Sequence, residues 1–181
     1  MGAIKRAFAN NITTSGNLAA LDAANLTGTL PAISGTNLTG TGKVLQTVIA
    51  TNGSQISVST SGVETANVQA SLTPTSATTK ILAFYTVGGV ATENANRLEG
   101  LLKWQTTSGT TGGTQVANQY MANNGVAVND MGTWAMSALI DHNTSSTVYV
   151  NGTVYTHDTG TTRYINVYGS DSQLVLLEVK E

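Results

Sequence analysis

The chain has 181 residues, no cysteine, a hydrophobic fraction of 40%, a charged fraction of 10% and a net charge of −2. The length and apolar content suffice for one ordinary core plus an extension, while the charge leaves no cluster of Lys and Arg to displace counterions, which argues against nucleic acid as a partner. Without cysteine there are no disulfides, and a surface so far below the usual charged share of roughly one quarter must be covered by Thr, Ser, Asn and Gly, which suits a rigid particle component better than a freely diffusing enzyme.

Residues 1–15 read as an anchoring arm. Ile4, Phe8 and Ile12 recur every four positions, so a short helix would present one apolar edge with Lys5 and Arg6 beside it. A free helix this short is marginal and needs a clamp. The basic pair is followed by Ala-Asn-Asn-Ile rather than an apolar run of signal-peptide length. The densest apolar stretch, residues 81–85, is far below the roughly 20 residues that span a bilayer. The expectation is a protein made in a cytoplasm, with no secretory signal and no membrane insertion.

Residues 16–42 read as a repeat neck. Leu21-Asp-Ala-Ala-Asn25-Leu26-Thr27-Gly28 is echoed by Ile33-Ser-Gly-Thr-Asn37-Leu38-Thr39-Gly40, and Asp22 is the sole charge between residues 7 and 42. Such a segment cannot bury its aliphatics alone, and two copies are too few for a solenoid. Leu21, Leu26, Ile33 and Leu38 are therefore expected to face an axis shared by identical chains.

The body, residues 43–181, alternates short Val-, Ile-, Thr- and Tyr-rich stretches with Gly, Asn and Ser clusters, the pattern of an antiparallel β-sandwich or barrel. Strands are expected near 43–50, 55–60, 66–73, 80–91, 98–106, 115–121, 132–141, 147–157, 162–169 and 173–180. Asn52-Gly53 and Asn124-Gly125 fall at turns; Asn151-Gly152 falls inside a strand, which predicts a hairpin or a bulge there. In residues 164–168, Ile165 and Val167 face one side and the tyrosines the other. The last strand, Leu174-Val-Leu-Leu177 and Val179, is apolar on both faces, so both need cover: a core on one side and a sister subunit on the other.

Two stretches resemble the short tail-fibre and fibre-like virion proteins of bacteriophages. One is the neck, in which the Asn-Leu-Thr-Gly units at 25–28 and 37–40 flank Leu30-Pro-Ala-Ile33. The other comprises Lys43-Val-Leu-Gln-Thr-Val-Ile49, residues 70–82 and Ser146-Thr-Val-Tyr-Val150 in the body. The resemblance covers nearly the whole chain after about residue 15 and implies an all-β jelly-roll head of the tumour-necrosis-factor type, preceded by an extended neck and arm, in a homotrimer. It also implies a virion location, with other virion proteins and a host cell-surface glycan or protein as partners. Members of the family serve as tail-fibre tips, head fibres and capsid decorations, so the resemblance marks the class rather than the address.

Catalytic chemistry is not expected. The ten acids are scattered singly as solvated groups, whereas a glycosidase needs two carboxylates at one sugar bond, and no Gly-x-Ser-x-Gly elbow exists. His142 and His157 read as polar turn residues beside Asp141 and Asp158, although three copies of one histidine on a threefold axis would make a metal or anion site. No catalytic, cofactor-binding or metal residues are therefore assigned. Trp104 and Trp134 read as core or interface rather than sugar-stacking residues. A free lectin or a polysaccharide-cleaving enzyme is disfavoured because neither needs an arm and neck. If ten strands run alternately up and down, the loops sort by parity, and Asn52, Thr107, Ser108, Thr110, His142, Asn143 and Asp171 fall at the end away from the neck as candidate receptor-facing residues.

Overall fold

Val, Ile, Thr and Tyr fit a pleated, half-buried backbone, and in the computed structural model the ten segments rich in them are strands. The structure describes residues 44–92, 97–122, 132–157 and 162–180. In chain order the strands are β1 (Val44–Asn52), β2 (Ile56–Val58), β3 (Glu64–Leu72), β4 (Lys80–Thr92), β5 (Arg97–Gln105), β6 (Thr114–Ala122), β7 (Gly132–Ile140), β8 (Val148–Thr156), β9 (Arg163–Ile165) and β10 (Ser172–Val179). They belong to a compact unit that starts at Gly42. Each expected strand has a counterpart, but β2 and β9 have only three residues each. The ninth ends early because Asn166 and Tyr168 adopt left-handed backbone, with φ of 57° and 55°. Ile165 and Val167 are buried and Tyr168 is exposed, as the alternation predicted.

All pairings are antiparallel. One sheet runs β1-β10-β4, with β7 also pairing β4 and with β9-β2 extending from the end of β4; the other runs β3-β8-β5-β6. With the two three-residue strands set aside, the long strands lie in the order first, last, third, sixth in one sheet and second, seventh, fourth, fifth in the other. That is the wiring of a jelly roll.

Register defines the two ends. Val44 and Lys80 both pair with Val179, and Leu72 pairs with Val148. The Gln46 Nε2 amide also donates to the Thr73 carbonyl at 2.8 Å. The proximal end therefore gathers the start of β1, the end of β10 and the loops at 73–79, 106–113 and 141–147. Asn52 pairs with Ser172 at the distal end. The predicted parity sorting fails between these points. Because β2 and β9 do not cross the sandwich, parity slips at the first and recovers at the second.

Asn151-Gly152 makes neither a hairpin nor a turn; it lies in mid-β8, where Gly152 pairs with Val68 and Leu102. The bulge is on the partner strand, between Ala66 and Val68. An extra residue re-aims its side chain, and here it sends Asn67 inward. Asn67 Nδ2 donates to Tyr85 Oη at 2.7 Å and Ser172 Oγ at 2.8 Å, Asn166 Nδ2 donates to Asn67 Oδ1 at 3.1 Å, and Ser172 Oγ donates to Asn166 Oδ1 at 2.5 Å. This network ties β3, β4, β10 and the 166–169 turn together. Gly88-Gly89 forms a bulge in β4: Gly89 has φ of 35°, and a Cβ on Gly88 would lie 2.4 Å from the Asp171 carbonyl oxygen.

The core lies between the sheets, with Ile81, Tyr85, Leu98, Leu102, Val150, Val154, Leu174 and Leu176 fully enclosed. Each such aliphatic contributes about 1.5–3 kcal/mol on burial. Trp134 packs edge-on to Tyr85, with ring centroids 5.7 Å apart at 82°, and Trp104 packs partly buried against the same cluster.

The other face of the first sheet is apolar as well. Ile49, Val175 and Phe84 form one cross-strand row, and Leu177, Leu82 and Leu139 belong to the next. Ile49 is 60% exposed, Phe84 41% and Leu139 57%. Their flanks are Thr47, Thr51, Thr86, Ala135 and Ser137, so this band carries no charge; the Lys80–Asp141 ion pair, at 2.7 Å, sits at its margin. The two-sided apolarity expected of the last strand is thus present.

Candidate functional site

Period-2 alternation also dictates what the second sheet shows on its outer face. In β5, Leu98, Gly100 and Leu102 turn inward, so Glu99, Leu101 and Lys103 turn outward. The register places this row beside Thr153 and Tyr155 of β8 and Gln115, Asn118 and Tyr120 of β6. Together with Gly62, Glu64 and His157, these strands shape an open groove of about 340 Å³ lined by Gly62, Glu64, Glu99, Leu101, Lys103, Gln115, Tyr155 and His157.

The polar groups of the groove are bonded in pairs. Lys103 Nζ bonds the Glu64 carboxylate, which also accepts from Thr153 Oγ1 at 2.7 Å and the Gly112 N–H at 3.4 Å. Glu99, 6% exposed, accepts from Asn118 Nδ2 at 2.6 Å and is paired with His157 Nε2 at 2.8 Å. The His157 ring is held between Tyr155 and Tyr120, with centroids 4.7 Å and 5.6 Å away. Burial pushes the Glu64 and Glu99 carboxyls up, but their hydrogen bonds and the facing Lys103 and His157 outweigh it and hold both below the ordinary value of 4.5. Both are thus ionised at neutral pH.

A third carboxylate is buried at the proximal end. Glu178 accepts from Thr79 Oγ1 at 2.6 Å, from Thr75 N–H and Oγ1 at 2.7 and 2.8 Å, and from Gln46 Nε2 at 2.7 Å. Burial raises its carboxyl, and these donors more than reverse that, so it too lies below 4.5. The three acids correct the expectation that the carboxylates are solvated and single: strand pairing brings Glu64 and Glu99 to one groove and encloses Glu178. Each depressed carboxyl contributes stability that is complete above about pH 4.5 and lost as pH falls through its folded value. The melting midpoint should therefore hold from neutrality to about pH 5 and drop steeply below. A midpoint unchanged down to about pH 3 would contradict these assignments.

The seven residues expected at one receptor-facing end are split between two. Asn52 and Asp171 are distal. Asn52 is committed structurally: its Nδ2 donates to the Asn67 carbonyl at 2.7 Å, and its Oδ1 accepts from Ser54 N–H at 3.0 Å. Thr107, Ser108 and Thr110 are exposed but belong to the proximal 106–113 loop, which folds over the second sheet, with the Gly109 carbonyl accepting from Gln69 and Gln105 side chains. Asn143, exposed with φ of 46°, is proximal too. His142 is 3% exposed, with its Nδ1 2.8 Å from the Thr144 carbonyl, so it is a packed residue rather than a displayed one. The arm residues Ile4, Lys5, Arg6, Phe8 and Ile12 and the neck residues Leu21, Leu26, Ile33 and Leu38 lie outside the described residues.

Glu64, Glu99 and Lys103 were not singled out from the sequence. The in-phase spacing of Glu99 and Lys103 on one strand was visible, but Glu64 is on β3 and reaches them only through the long-range β3–β8–β5 register. Among the described residues no group of three or more His, Asp or Glu side chains is placed to hold a metal ion, and no helix is long and apolar enough to cross a membrane.

No protein-family model matches the sequence, and no curated protein matches it. Among solved structures, infectious bursal disease virus, Gx strain, overlaps at a TM-score of 0.44 and 13% identity over 75% of this chain and 33% of that one. The VP2 subviral particle of the same virus overlaps at 0.41 and 13% over 83% and 46%. This chain thus spans less than half the length of either, and overlap this loose carries nothing about what it binds or builds.

Proposed function

We propose that the chain is a structural bacteriophage virion protein: a homotrimeric short tail fibre, anchored by residues 1–15, joined through the 16–42 neck, and displaying its β-sandwich head for attachment to a host surface. The observation that carries the reading is the uncharged apolar band on the outer face of β1, β10, β4 and β7. Large exposed apolar patches mark interaction surfaces, and this one lies on the strand that begins the body and the strand that ends it. A self-associating particle component needs such a face; a monomeric enzyme does not. The neck residues support the same partner, a second and third copy of this chain.

Light scattering of the full-length protein should return three times the 18.7 kDa chain mass. Phe84→Asp places a carboxylate in the band without touching the core, so it should leave the circular dichroism unchanged and produce a population below trimer mass at micromolar concentration. A wild-type protein of single-chain mass would defeat the trimer. Immunogold labelling of intact particles tests the address: gold on the tail supports the fibre, and gold on the capsid overturns it in favour of a head decoration of the same build.

A further inference from the structure

We propose that the groove lined by Glu64, Glu99, Leu101, Lys103, Gln115, Tyr155 and His157 is a binding site for an uncharged sugar ring, a neutral hexose or N-acetylhexosamine unit of a surface glycan. The proposal deepens the reading of the body as a host-contacting head and rests on it.

Size comes first. About 340 Å³ falls at the lower end of the range, roughly 300–1,000 Å³, in which small ligands are held. An open site of that volume accommodates a terminal residue of a longer chain rather than a whole polymer.

Charge selects the class of sugar. Lys103 is taken up by Glu64, and Glu99 is hydrogen-bonded to His157, so the groove offers no surplus cation to a phosphate, sulfate or sugar carboxylate. An anionic residue would have to face two carboxylates. A neutral ring meets no such penalty, and each carboxylate, with three donors already bonded to it, keeps one of the about four acceptor positions an ionised carboxylate has. Hydroxyl donors to such oxygens make charge-assisted bonds, roughly twice as strong as neutral ones.

The acceptors are also fixed in advance. Glu99 is held by Asn118, His157 and Tyr120, and Glu64 by Lys103, Thr153 and the Gly112 N–H, so little rotamer freedom remains to be lost when a ligand arrives. Leu101 supplies an apolar surface, and the Tyr155 ring supplies an aromatic one for the C–H face of a pyranose. Among the described residues the Tyr155 hydroxyl and the Gln115 amide make no hydrogen bond, leaving a donor–acceptor pair at the groove for ring hydroxyls.

The test is saturation-transfer-difference NMR on the full-length protein with galactose, glucose, mannose and their N-acetylated amines, against glucuronic acid and N-acetylneuraminic acid. At least one neutral sugar should show transfer to its ring protons, and the two acids should show none. Tyr155→Ala should weaken that binding about tenfold or more. Gln115→Ala, at an exposed position with no fold role, should weaken it with unchanged circular dichroism. Absence of transfer to any neutral sugar, preference for the acids, or binding indifferent to both substitutions would overturn the proposal. A wild-type protein of single-chain mass that still binds a neutral sugar through Tyr155 supports the site while sinking the fibre; a trimeric tail component with no sugar binding sinks the site alone.

Discussion

Gly100→Ala is expected to destabilise the body by about 3 kcal/mol, near the top of what overpacking a core costs. A Cβ built on Gly100 would lie 1.6 Å from Trp134 Cη2 and 1.9 Å from Cζ3. The indole cannot swing away, because Trp134 is 5% exposed and locked edge-on to the fully buried Tyr85. Tyr85 in turn rests on Gly152, where a Cβ would lie 2.6 Å from its ring. Two rings from one sheet thus fill the space left by two missing side chains on neighbouring strands of the other. Denaturant midpoints check the size of the effect, and a double-mutant cycle checks its cause. Trp134→Leu alone should destabilise, yet in the Gly100→Ala background it should cost much less, since the smaller side chain makes room for the new methyl. Strict additivity would remove the explanation.

Removing the buried carboxylate at the proximal end should cost as much. Glu178→Ala strands the Thr75 N–H and removes the acceptor that the Thr75 hydroxyl, the Thr79 hydroxyl and the Gln46 amide share, and groups left unsatisfied around a lost buried charge carry a penalty of about 3 kcal/mol or more. Glu178→Gln is expected to be little better despite its matching shape, because half of its amide presents hydrogens to donors. The pH dependence separates charge from shape. Acid protonates the native Glu178 and removes its advantage, so the gap in melting midpoint between wild type and Glu178→Gln should narrow below about pH 4. A gap constant with pH would mean that packing, not the ionised carboxylate, sets the cost.

Much of this architecture can be read from local pattern. All ten strands and the two-faced last strand follow from alternation and turn residues that act within a few positions. What escapes is whatever depends on partners far along the chain. Nothing local distinguishes β2 and β9, which stop at three residues, from strands that cross the sandwich, and that difference sends Thr107 and Asn143 to the end opposite Asn52. Asn151-Gly152 has turn chemistry, but at the centre of a paired strand the glycine is needed for the Tyr85 ring above it. His142 and Glu178 read as surface groups from composition, yet Thr75 and Thr79 approach from another loop to satisfy the carboxylate in the interior. The groove was illegible for the same reason, since Glu64, Glu99 and His157 meet only through two nonlocal pairings, β3 with β8 and β8 with β5.

The pairing of β1 with β10 has a mechanical corollary. A pull on the chain at Val44, resisted at the distal end, acts along β1 while the ladder bonds to β10 run across it. Those bonds are loaded together in shear rather than opened one by one, and Gln46, bonded to both Glu178 and Thr73, adds a cross-tie where the load enters. The first strand of the body is thus placed to carry tension through the sheet without peeling from it.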